Sequence, residues 1–478
     1  MFLGEALIKL KLGSFAQNIA KFSIATWVSF AISLLSAPIS TRIYSPDSLG
    51  RINLFYTYSS MLMSLAYLGL DQAYVRFYNE LDNKKAKDSL FSFCLFISIL
   101  AVLLLSFVAF IFHDKVSTEI VGEKGFRFVF LLAISATTGI LSRYLNLFYR
   151  MQIDGKWYTI QAITDILFVK FSYLVSGYFN SSYQSAILVM VISRFVVIFG
   201  FYLFHRNRLN FIIDNSNREL SKDIIKFALP LVPITFLSWA NSSVSQIVLK
   251  NMLGYADLGV YSIAVGLANT VNVVQAGFNA YWAPYVYTNY KSENNNFNQV
   301  HKYMIFLLLL ISLIIVFCQD LIFIILGQKY RNAEIFFPFL LFSPICYTIA
   351  ETTGLGINIS KKTFWNLIIF SINITTNIVA CLLLIPIFGV SGAAIASSIS
   401  SILYLVIRTI VGEKYYKSIK SYRYLMYLLV ILSSSALVNY FVYLKTLKYA
   451  LFMLIFFIYA YLFRKEISSI FGALNRKA

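Results

Sequence analysis

The chain has 478 residues, of which 59% are hydrophobic and 13% are charged, and its formal net charge is +19. Soluble domains average about 45–50% apolar and about 25% charged residues, so most of this chain cannot face water. This composition excludes a soluble enzyme, a nucleic-acid-binding protein and a disordered scaffold, and it indicates an integral membrane protein.

The N-terminal segment, residues 1–17, predicts a helix that lies on the membrane surface. Lys9 and Lys11 are set against a row of apolar residues, which is typical of an interfacial amphipathic helix. An apolar stretch then begins near Asn18, and it contains no small-residue cleavage site. We therefore expect a retained first span and no removed signal peptide.

The apolar pattern predicts an all-α integral membrane protein with about fourteen transmembrane helices. A span needs about 20 mainly apolar residues, and the chain contains fourteen such stretches joined by short connections. The connections are too short to hold an extramembrane domain. The predicted spans lie near 18–40, 51–77, 88–112, 127–149, 157–178, 184–205, 223–249, 258–287, 303–325, 334–357, 363–387, 390–411, 423–443 and 447–463.

The distribution of positive charge predicts the orientation of these spans. The N-terminus and the even-numbered connections together hold 27 Lys and Arg residues, whereas the odd-numbered connections hold 10. Lys and Arg concentrate on the cytoplasmic side of membrane proteins. Both termini are therefore predicted to lie in the cytoplasm. Most of the positive net charge is explained by this orientation and does not indicate a nucleic-acid partner.

A repeat predicts two six-span halves. The segment with Asp47, Leu49 and Gly50 after span 1 resembles the segment with Asp257, Leu258 and Gly259 after span 7. Span 8 carries Asn269, Asn272, Gln275 and Asn279 on one face, and spans 1 and 7 carry Ser and Thr at three- and four-residue spacing. Such Ser and Thr stripes also pack helix against helix. The Asn residues favour a central polar cavity, the architecture of a transporter, with an N-terminal half over 1–210, a C-terminal half over 211–415 and two additional spans over 416–478.

Catalytic residues are not evident in the sequence. His113, His205 and His301 lie at span ends without metal-ligand spacing, and no nucleotide-binding loop or zinc motif occurs. A membrane-embedded polymerase or transferase would need carboxylates in a sizeable loop, which the short connections do not provide. We predict that the chain is not an enzyme and uses no cofactor or metal.

Several segments together resemble one known family. The stretch Leu384–Leu405 (LIPIFGVSGAAIASSISSILYL) is similar to the linkage of spans 11 and 12 in polysaccharide-unit exporters, and SPDSLGRINL with LGLDQAYVRFYNE resembles their N-terminal signature. GILSRYLNLFYRMQIDGKWY and GLGINISKKT fit the same pattern. The family is the Wzx-type flippases of lipid-linked oligosaccharides, in the superfamily of MATE antiporters and lipid II flippases. The chain departs from it in having fourteen predicted spans instead of twelve, and span 1 lacks the acidic residue found in many MATE antiporters.

The resemblance implies a MATE-like fold and a function in the bacterial cytoplasmic membrane. The substrate would be an undecaprenyl-diphosphate-linked oligosaccharide of O-antigen, capsule or exopolysaccharide, moved from the cytoplasmic to the outer leaflet by alternating access. The implied partners are this lipid, the membrane lipids and the polysaccharide polymerase machinery. Two alternatives are a lipid II flippase, favoured by the span count, and a cation-coupled small-molecule antiporter.

Ionisable residues at membrane depth are the candidate site residues, because each costs at least about 2.5–3.5 kcal/mol there. Arg and Lys suit the diphosphate, and the Asn face of span 8 with Tyr281, Trp282 and Tyr285 suits sugars. Lys170 and Arg194 are expected at similar depth. The predicted substrate-binding residues are Arg42, Arg76, Arg143, Lys170, Arg194, Asn269, Asn272 and Asn279.

Two further interpretations of these charges stay open. Asp165 can simply pair with Lys170 or Arg194, and Arg residues at span ends, namely Arg76, Arg150 and Arg408, can extend to the membrane interface. If transport is coupled to a proton or sodium gradient, Asp71, Asp165 and Glu351 are the candidate ion-coupling residues. The membrane potential is the other driving force, since one charge crossing 100 mV is worth about 2.3 kcal/mol.

Overall fold

The computed structural model describes residues 12–211, 218–291, 294–362 and 364–475, and every regular element within these ranges is helical. This part of the chain divides into two compact units, an N-terminal unit over Gln17–Ser243 and a C-terminal unit from Val244 onwards. Most of the predicted interfacial helix lies outside the described residues. The six-span repeats with limits at 210 and 415 stay a prediction.

The N-terminal unit is built from long apolar helices joined by short turns. Two short helices, α3 and α5, follow long ones directly, and α7 and α8 form an antiparallel hairpin. The helices are α1 (Leu12–Ile43), α2 (Pro46–Ala66), α3 (Leu70–Tyr78), α4 (Lys84–Ile111), α5 (His113–Val121), α6 (Arg127–Met151), α7 (Gly155–Phe179), α8 (Tyr183–Phe204), α9 (Arg218–Ala228) and α10 (Leu231–Leu253), the last of which continues into the C-terminal unit.

The C-terminal unit contains more interrupted helices. A short 3₁₀ helix, Asn269–Val271, separates α11 from α12, and a second, Gln328–Ile335, precedes α15. The helices are α11 (Tyr255–Ala268), α12 (Asn272–Asn289), α13 (Asn294–Phe317), α14 (Gln319–Ile325), α15 (Phe337–Leu340), α16 (Phe342–Thr353), α17 (Leu355–Ile359), α18 (Phe364–Phe388), α19 (Val390–Tyr415), α20 (Arg423–Phe441), α21 (Lys445–Leu462) and α22 (Arg464–Asn475).

Within the described residues, eleven helical segments are long and apolar enough to cross a membrane. A twelfth is added if Gln328–Ile335 and Phe337–Thr353, which are bent by 69°, form one span. The last two predicted spans, α20 and α21, both belong to the eleven. The described apolar part of α1, Trp27–Ile43, is shorter than a span, and a break divides the predicted second span into α2 and α3. The fold is therefore a multi-pass helical membrane protein with eleven or twelve supported spans, and the count of fourteen stays a prediction.

Several turn motifs of the sequence lie at helix ends, where particular residue types are needed. Ser45 accepts a hydrogen bond from the backbone N–H of Ser48, and Pro46 opens α2, a favoured start for a helix. Gly69 has φ of +73° and separates α2 from α3. Gly389 has φ of +57° and forms the turn between α18 and α19. These residues break the helices where the predicted spans turn or bend.

Close backbone contact holds α17 against α19. A Cβ on Gly356 would lie 2.0 Å from the carbonyl oxygen of Gly412 and 2.6 Å from the backbone nitrogen of Tyr416. A Cβ on Gly412 would lie 2.3 Å from the carbonyl oxygen of Thr353. The GLGINISKKT motif thus has a packing role, because only glycine permits helices to approach so closely.

A group of charged residues fixes the last two spans to the C-terminal unit. The Lys448 ammonium lies 2.9 Å from Glu334 and 3.6 Å from Asp320, and its side chain is only 8% exposed. The amide nitrogen of Asn439 donates to the carbonyl oxygens of Glu334 and Ile335 at 2.8 and 2.9 Å. These bonds connect α20 and α21 to the 3₁₀ helix that precedes α15.

The buried His205, which follows α8, is expected to make the stability of the folded protein depend on pH. Its side chain is buried, and its Nδ1 lies 3.0 Å from the Tyr149 hydroxyl. Burial lowers the pKa of His205, because a charged imidazole would lose its hydration. The unfolded chain, with a histidine pKa of about 6.5, therefore binds a proton that the folded chain does not. The contribution of neutral His205 to the free energy of unfolding is fully present above about pH 6.5. As the pH falls below about 6.5, this contribution decreases by at most about 1.4 kcal/mol per pH unit.

Thermal unfolding in detergent, followed between pH 7.5 and 5, measures this contribution. The variant His205→Gln lacks the titrating group, so its melting temperature should fall less between these pH values than that of the wild type. Parallel curves for the two proteins would contradict the assignment.

Candidate functional site

Two ion pairs lie at membrane depth in the N-terminal unit. In the first, Arg194 of α8 donates from Nη2 to Oδ2 of Asp165 on α7 at 3.2 Å. The hydroxyl of Ser142 on α6 donates to the same oxygen at 2.8 Å. The interpretation that Asp165 pairs with a neighbouring cation is therefore correct for Arg194.

The second pair joins Arg143 of α6 to Asp71 of α3, with 3.0 Å between Nη2 and Oδ2. Asp71 lies in the first turn of α3, directly after the break at Gly69. The Tyr67 phenol lies within electrostatic range of Asp71, Arg143 and Arg194. Both ion pairs thus lie near the Tyr67 side chain, which directly follows α2.

The cation is the more exposed partner in both pairs. Arg143 is 42% exposed against 9% for Asp71, and Arg194 is 22% exposed against 15% for Asp165. A guanidinium facing lipid would be very costly, so the 42% exposed Arg143 must reach water or a polar ligand. Asp71 holds this guanidinium in place and leaves part of its surface free to bind an anion, whereas the Arg194 guanidinium is more enclosed.

Lys170 differs from the two arginines because no carboxylate lies within ion-pair distance of it in the described part of the chain. Its ammonium lies 5.7 Å from the centre of the Tyr173 ring. Asp165 is level with Arg194, so Lys170 stands five residues, or about 7.5 Å, further along α7. The expected similar depth of Lys170 and Arg194 therefore holds only approximately, and Lys170 lies nearer the connection between α7 and α8.

Arg42 and Arg76 both lie in the last turn of a helix. Arg42, in the last turn of α1, lines a pocket of about 500 Å³ with Tyr178 and Ser181. Arg76, in the last turn of α3, is exposed and forms an ion pair with Glu80. Arg76 thus matches the expectation of a span-end arginine at the interface.

The predicted asparagine face lies at an interruption of the helix. Asn269 begins the 3₁₀ helix between α11 and α12, and the Asn272 amide donates to its side-chain oxygen at 3.2 Å. Asn279 lies two turns further along α12 and is partly buried. A 3₁₀ segment within a long helix often marks a functional hinge, which places these residues where backbone geometry departs from the α-helix.

Trp282 does not line a sugar-binding surface, contrary to expectation. It is only 3% exposed and packs against Phe297, Val286 and Leu355 in an apolar cluster. Tyr285 is partly buried against the same cluster, and the side chain of Tyr281 lies outside the described residues. The physical reason is that this aromatic face covers the start of α13 instead of facing polar space.

The third predicted carboxylate, Glu351 of α16, pairs with Arg408 of α19. Nη2 of Arg408 lies 3.3 and 3.4 Å from the two carboxylate oxygens. Arg408 was expected to extend to the interface, and that expectation is wrong, because the residue is 7% exposed. Its guanidinium also donates to the Tyr404 hydroxyl, which compensates part of its lost hydration.

Sequence reasoning missed the neutral residues that support the first ion pair. The Gln161 amide donates to the Ser142 hydroxyl at 2.9 Å, and the Asn146 amide donates to Gln161 at 3.2 Å. The signal was available, because Ser142 and Asn146, and likewise Gln161 and Asp165, are four residues apart on their helices. Polar pairs at that spacing share one helix face, and two such faces on adjacent spans predict a contact.

Comparison with known proteins shows two distant bacterial relatives. A protein of the Lsg locus of Haemophilus influenzae is 23% identical over 262 residues, which cover 49% of this chain and 65% of that protein. The capsular polysaccharide biosynthesis protein CapF of Staphylococcus aureus is 24% identical over 255 residues, covering 51% of this chain and 63% of CapF. The chain thus spans less than two thirds of the length of either relative.

Solved structures show the same fold. The lipid II flippase MurJ in an inward closed conformation superposes with a TM-score of 0.64 at 16% identity, covering 93% of this chain and 99% of MurJ. An inward-facing multidrug resistance transporter of the MATE family gives a TM-score of 0.58 at 15% identity, covering 82% and 97%. These likenesses confirm the MATE-like fold. A model of the family described as polysaccharide biosynthesis protein matches residues 15–289, more than half of the sequence, and the chain belongs to that family.

Proposed function

We propose that the chain is a flippase that moves an undecaprenyl-diphosphate-linked oligosaccharide from the cytoplasmic to the outer leaflet of the bacterial cytoplasmic membrane. The observation that carries this proposal is the set of three deep cations, Arg143, Lys170 and Arg194, in one unit. Two of them are the more exposed partners of ion pairs, and the third has no carboxylate beside it. Family membership and the shared fold are consistent with it.

The chemistry of the diphosphate explains why these residue types are suited to it. A guanidinium binds two phosphate oxygens at once, and a lysine ammonium acts as a compact point charge. Asp71 and Asp165 occupy the guanidinium groups in the absence of substrate. The diphosphate can bind guanidinium nitrogens that the carboxylate does not use, so each carboxylate keeps its counter-charge.

The membrane potential provides a driving force for this direction. Each negative charge that leaves a negative interior through 100 mV gains about 2.3 kcal/mol. A diphosphate therefore moves outward downhill without an exchanged ion. Coupling to protons or sodium through Asp71 or Asp165 would first require an ion pair to open. Transport driven by the membrane potential alone does not require this step.

The rival function of a small-molecule antiporter fits the N-terminal unit less well. A site for a cationic drug would present carboxylates to the open space. Here Asp71 and Asp165 are 9% and 15% exposed and already bound by arginine. A lipid II flippase shares every feature used above and differs in the glycan alone. Complementation of a strain lacking its own lipid II flippase separates these two functions.

Reconstitution into vesicles tests the proposal directly. A fluorescent undecaprenyl-diphosphate oligosaccharide is placed in the inner leaflet, and its accessibility from outside is followed with and without an imposed potential. We expect protein-dependent crossing that becomes faster when the vesicle interior is negative. The absence of crossing for any polyprenyl-linked sugar would favour the antiporter.

Lys170→Ala is expected to slow transport about 10- to 100-fold, the effect of losing one hydrogen bond to a charged group. The melting temperature should be unchanged, because Lys170 forms no ion pair with the described residues. Lys170→Arg should keep most of the activity. Lys124→Ala, at an exposed position after α5, is the matched control and should leave the rate unchanged. Wild-type rates in both Lys170→Ala and Arg194→Ala would refute the assignment of these residues.

A further inference from the structure

The Arg408–Glu351 ion pair of the C-terminal unit differs from the Arg143–Asp71 and Arg194–Asp165 pairs of the N-terminal unit in which partner is exposed. The side chain of Arg408 is 8% exposed, whereas that of Glu351 is 30% exposed. In the two N-terminal pairs the arginine is the more exposed member. A carboxylate at membrane depth must face water or a polar ligand, so Glu351 presents a negative hydrogen-bond acceptor to an open polar space.

The Glu351 carboxylate has unused capacity to accept hydrogen bonds. A carboxylate has about four lone-pair positions, and Nη2 of Arg408 is the one donor that reaches it among the described residues. Glu413, on the same helix as Arg408, is a useful contrast. Its carboxylate is buried and accepts bonds from the backbone and hydroxyl of Ser418, which is typical of a structural residue.

Neighbouring residues hold Glu351 in one position. The indole nitrogen of Trp282 donates to the Glu351 backbone carbonyl at 3.1 Å, which fixes α16 beside α12. A Cβ on Gly354 would lie 2.5 Å from Nε of Arg408, so the guanidinium has little room to move. A fixed acceptor loses little conformational entropy when it binds a ligand.

The buried Arg408 guanidinium needs Glu351 as its counter-charge, because breaking a buried ion pair is strongly destabilising. Tyr347 on α16 and Tyr404 on α19 lie near this guanidinium, and His301 on α13 bonds to Thr352. The Glu351 carboxylate therefore stays beside Arg408, and a ligand that uses its free lone pairs must be a hydrogen-bond donor.

We infer that Glu351 is a specificity-determining residue that accepts hydrogen bonds from an uncharged, hydroxyl-bearing sugar of the transported glycan. The inference rests on the proposed function. Neighbouring sugar hydroxyls are donors that match the two oxygens of one carboxylate. A sugar acid at the same place is disfavoured, because two carboxylates close together repel each other. Glu351 thus selects among glycans by the chemistry of their sugars.

The test compares two fluorescent undecaprenyl-diphosphate lipids in the vesicle assay. One carries a neutral disaccharide, and the other carries the same disaccharide with one sugar oxidised to a uronic acid, made in both positional forms. The variants are Glu351→Gln, which removes only the charge, and the double variant Glu351→Gln with Arg408→Gln, which leaves no unpaired guanidinium. The control, Asp154→Asn with Arg208→Gln, removes an ion pair of the N-terminal unit whose arginine is half exposed.

Wild type is expected to transport the neutral lipid at least about ten times faster than the acidic one, and the folded double variant should reduce this ratio to near one. The control should keep the wild-type ratio. An unchanged ratio in a double variant with normal melting temperature would show that the pair is only structural. If wild type moves neither lipid, the proposed function itself fails and this inference with it. If wild type moves both equally well, the inference alone is overturned.

Discussion

Arg194→Ala is expected to abolish transport and to destabilise the protein by about 3–5 kcal/mol. The large cost arises because Asp165 is 15% exposed and would lose the guanidinium that is its counter-charge. Ser142 would still donate to Asp165, but one neutral hydroxyl cannot replace a positive charge. Transport in vesicles and the melting temperature in detergent measure the two effects separately.

A neutral pair at the same positions separates stability from function. The double variant Arg194→Gln with Asp165→Asn contains no unpaired charge and should recover most of the lost stability, because neutral amides can bond to each other. It should stay inactive, since no guanidinium is left at this position to bind phosphate. Normal transport by the double variant would show that the ion pair is structural and that the diphosphate binds elsewhere.

Gly356→Ala is expected to prevent stable folding of the C-terminal unit, with a cost of at least about 3 kcal/mol. The added methyl carbon would lie 2.0 Å from the carbonyl oxygen of Gly412 and 2.6 Å from the backbone nitrogen of Tyr416. Both are backbone atoms, so no side-chain rotation relieves the overlap, and α17 would have to move away from α19. We expect a low yield of folded protein and a strongly lowered melting temperature.

Gly266→Ala is the matched control in the same unit. A Cβ on Gly266, within α11, would meet no atom within 4 Å. Alanine there should be neutral or stabilising by up to about 1 kcal/mol, because it favours the helix more than glycine does. A similar loss for both variants would mean that glycine-to-alanine changes destabilise this protein in general, and the close contact at Gly356 would not be the cause.

The helical membrane fold was predictable because hydrophobic composition and span length are properties of the sequence alone. All fourteen predicted ranges fall on helical segments. The breaks were harder to predict. The second predicted span is divided at the three-residue turn 67–69, and apolar periodicity carries no information on such a turn between apolar helices. The described residues therefore support eleven or twelve spans, and the count of fourteen stays a prediction.

The candidate site was predictable in residue type and less so in pairing. Asp71, Arg143, Asp165 and Arg194 stood out because charges are rare at membrane depth. Which of them pair depends on how the helices are rotated about their axes. Asp165 bonds to Arg194 and not to Lys170, although Lys170 is nearer in sequence. The rotation of α12 also turns Trp282 into an apolar cluster, although the nearby Asn279 suggested a polar, sugar-binding surface.

The charged group around Lys448 has a consequence for relatives of different length. Without α20 and α21, Glu334 and Asp320 would lose Lys448, and the carbonyl oxygens bonded by Asn439 would lose their donor. A twelve-span relative could not share these acidic residues unchanged, because two close carboxylates would repel each other without a cation. During evolution, acidic residues at positions 320 and 334 should therefore occur together in relatives that have the final two helices. Relatives that lack these helices should lack the acidic pair. An acidic pair at these positions in a family member would mark a chain that continues beyond the twelfth span.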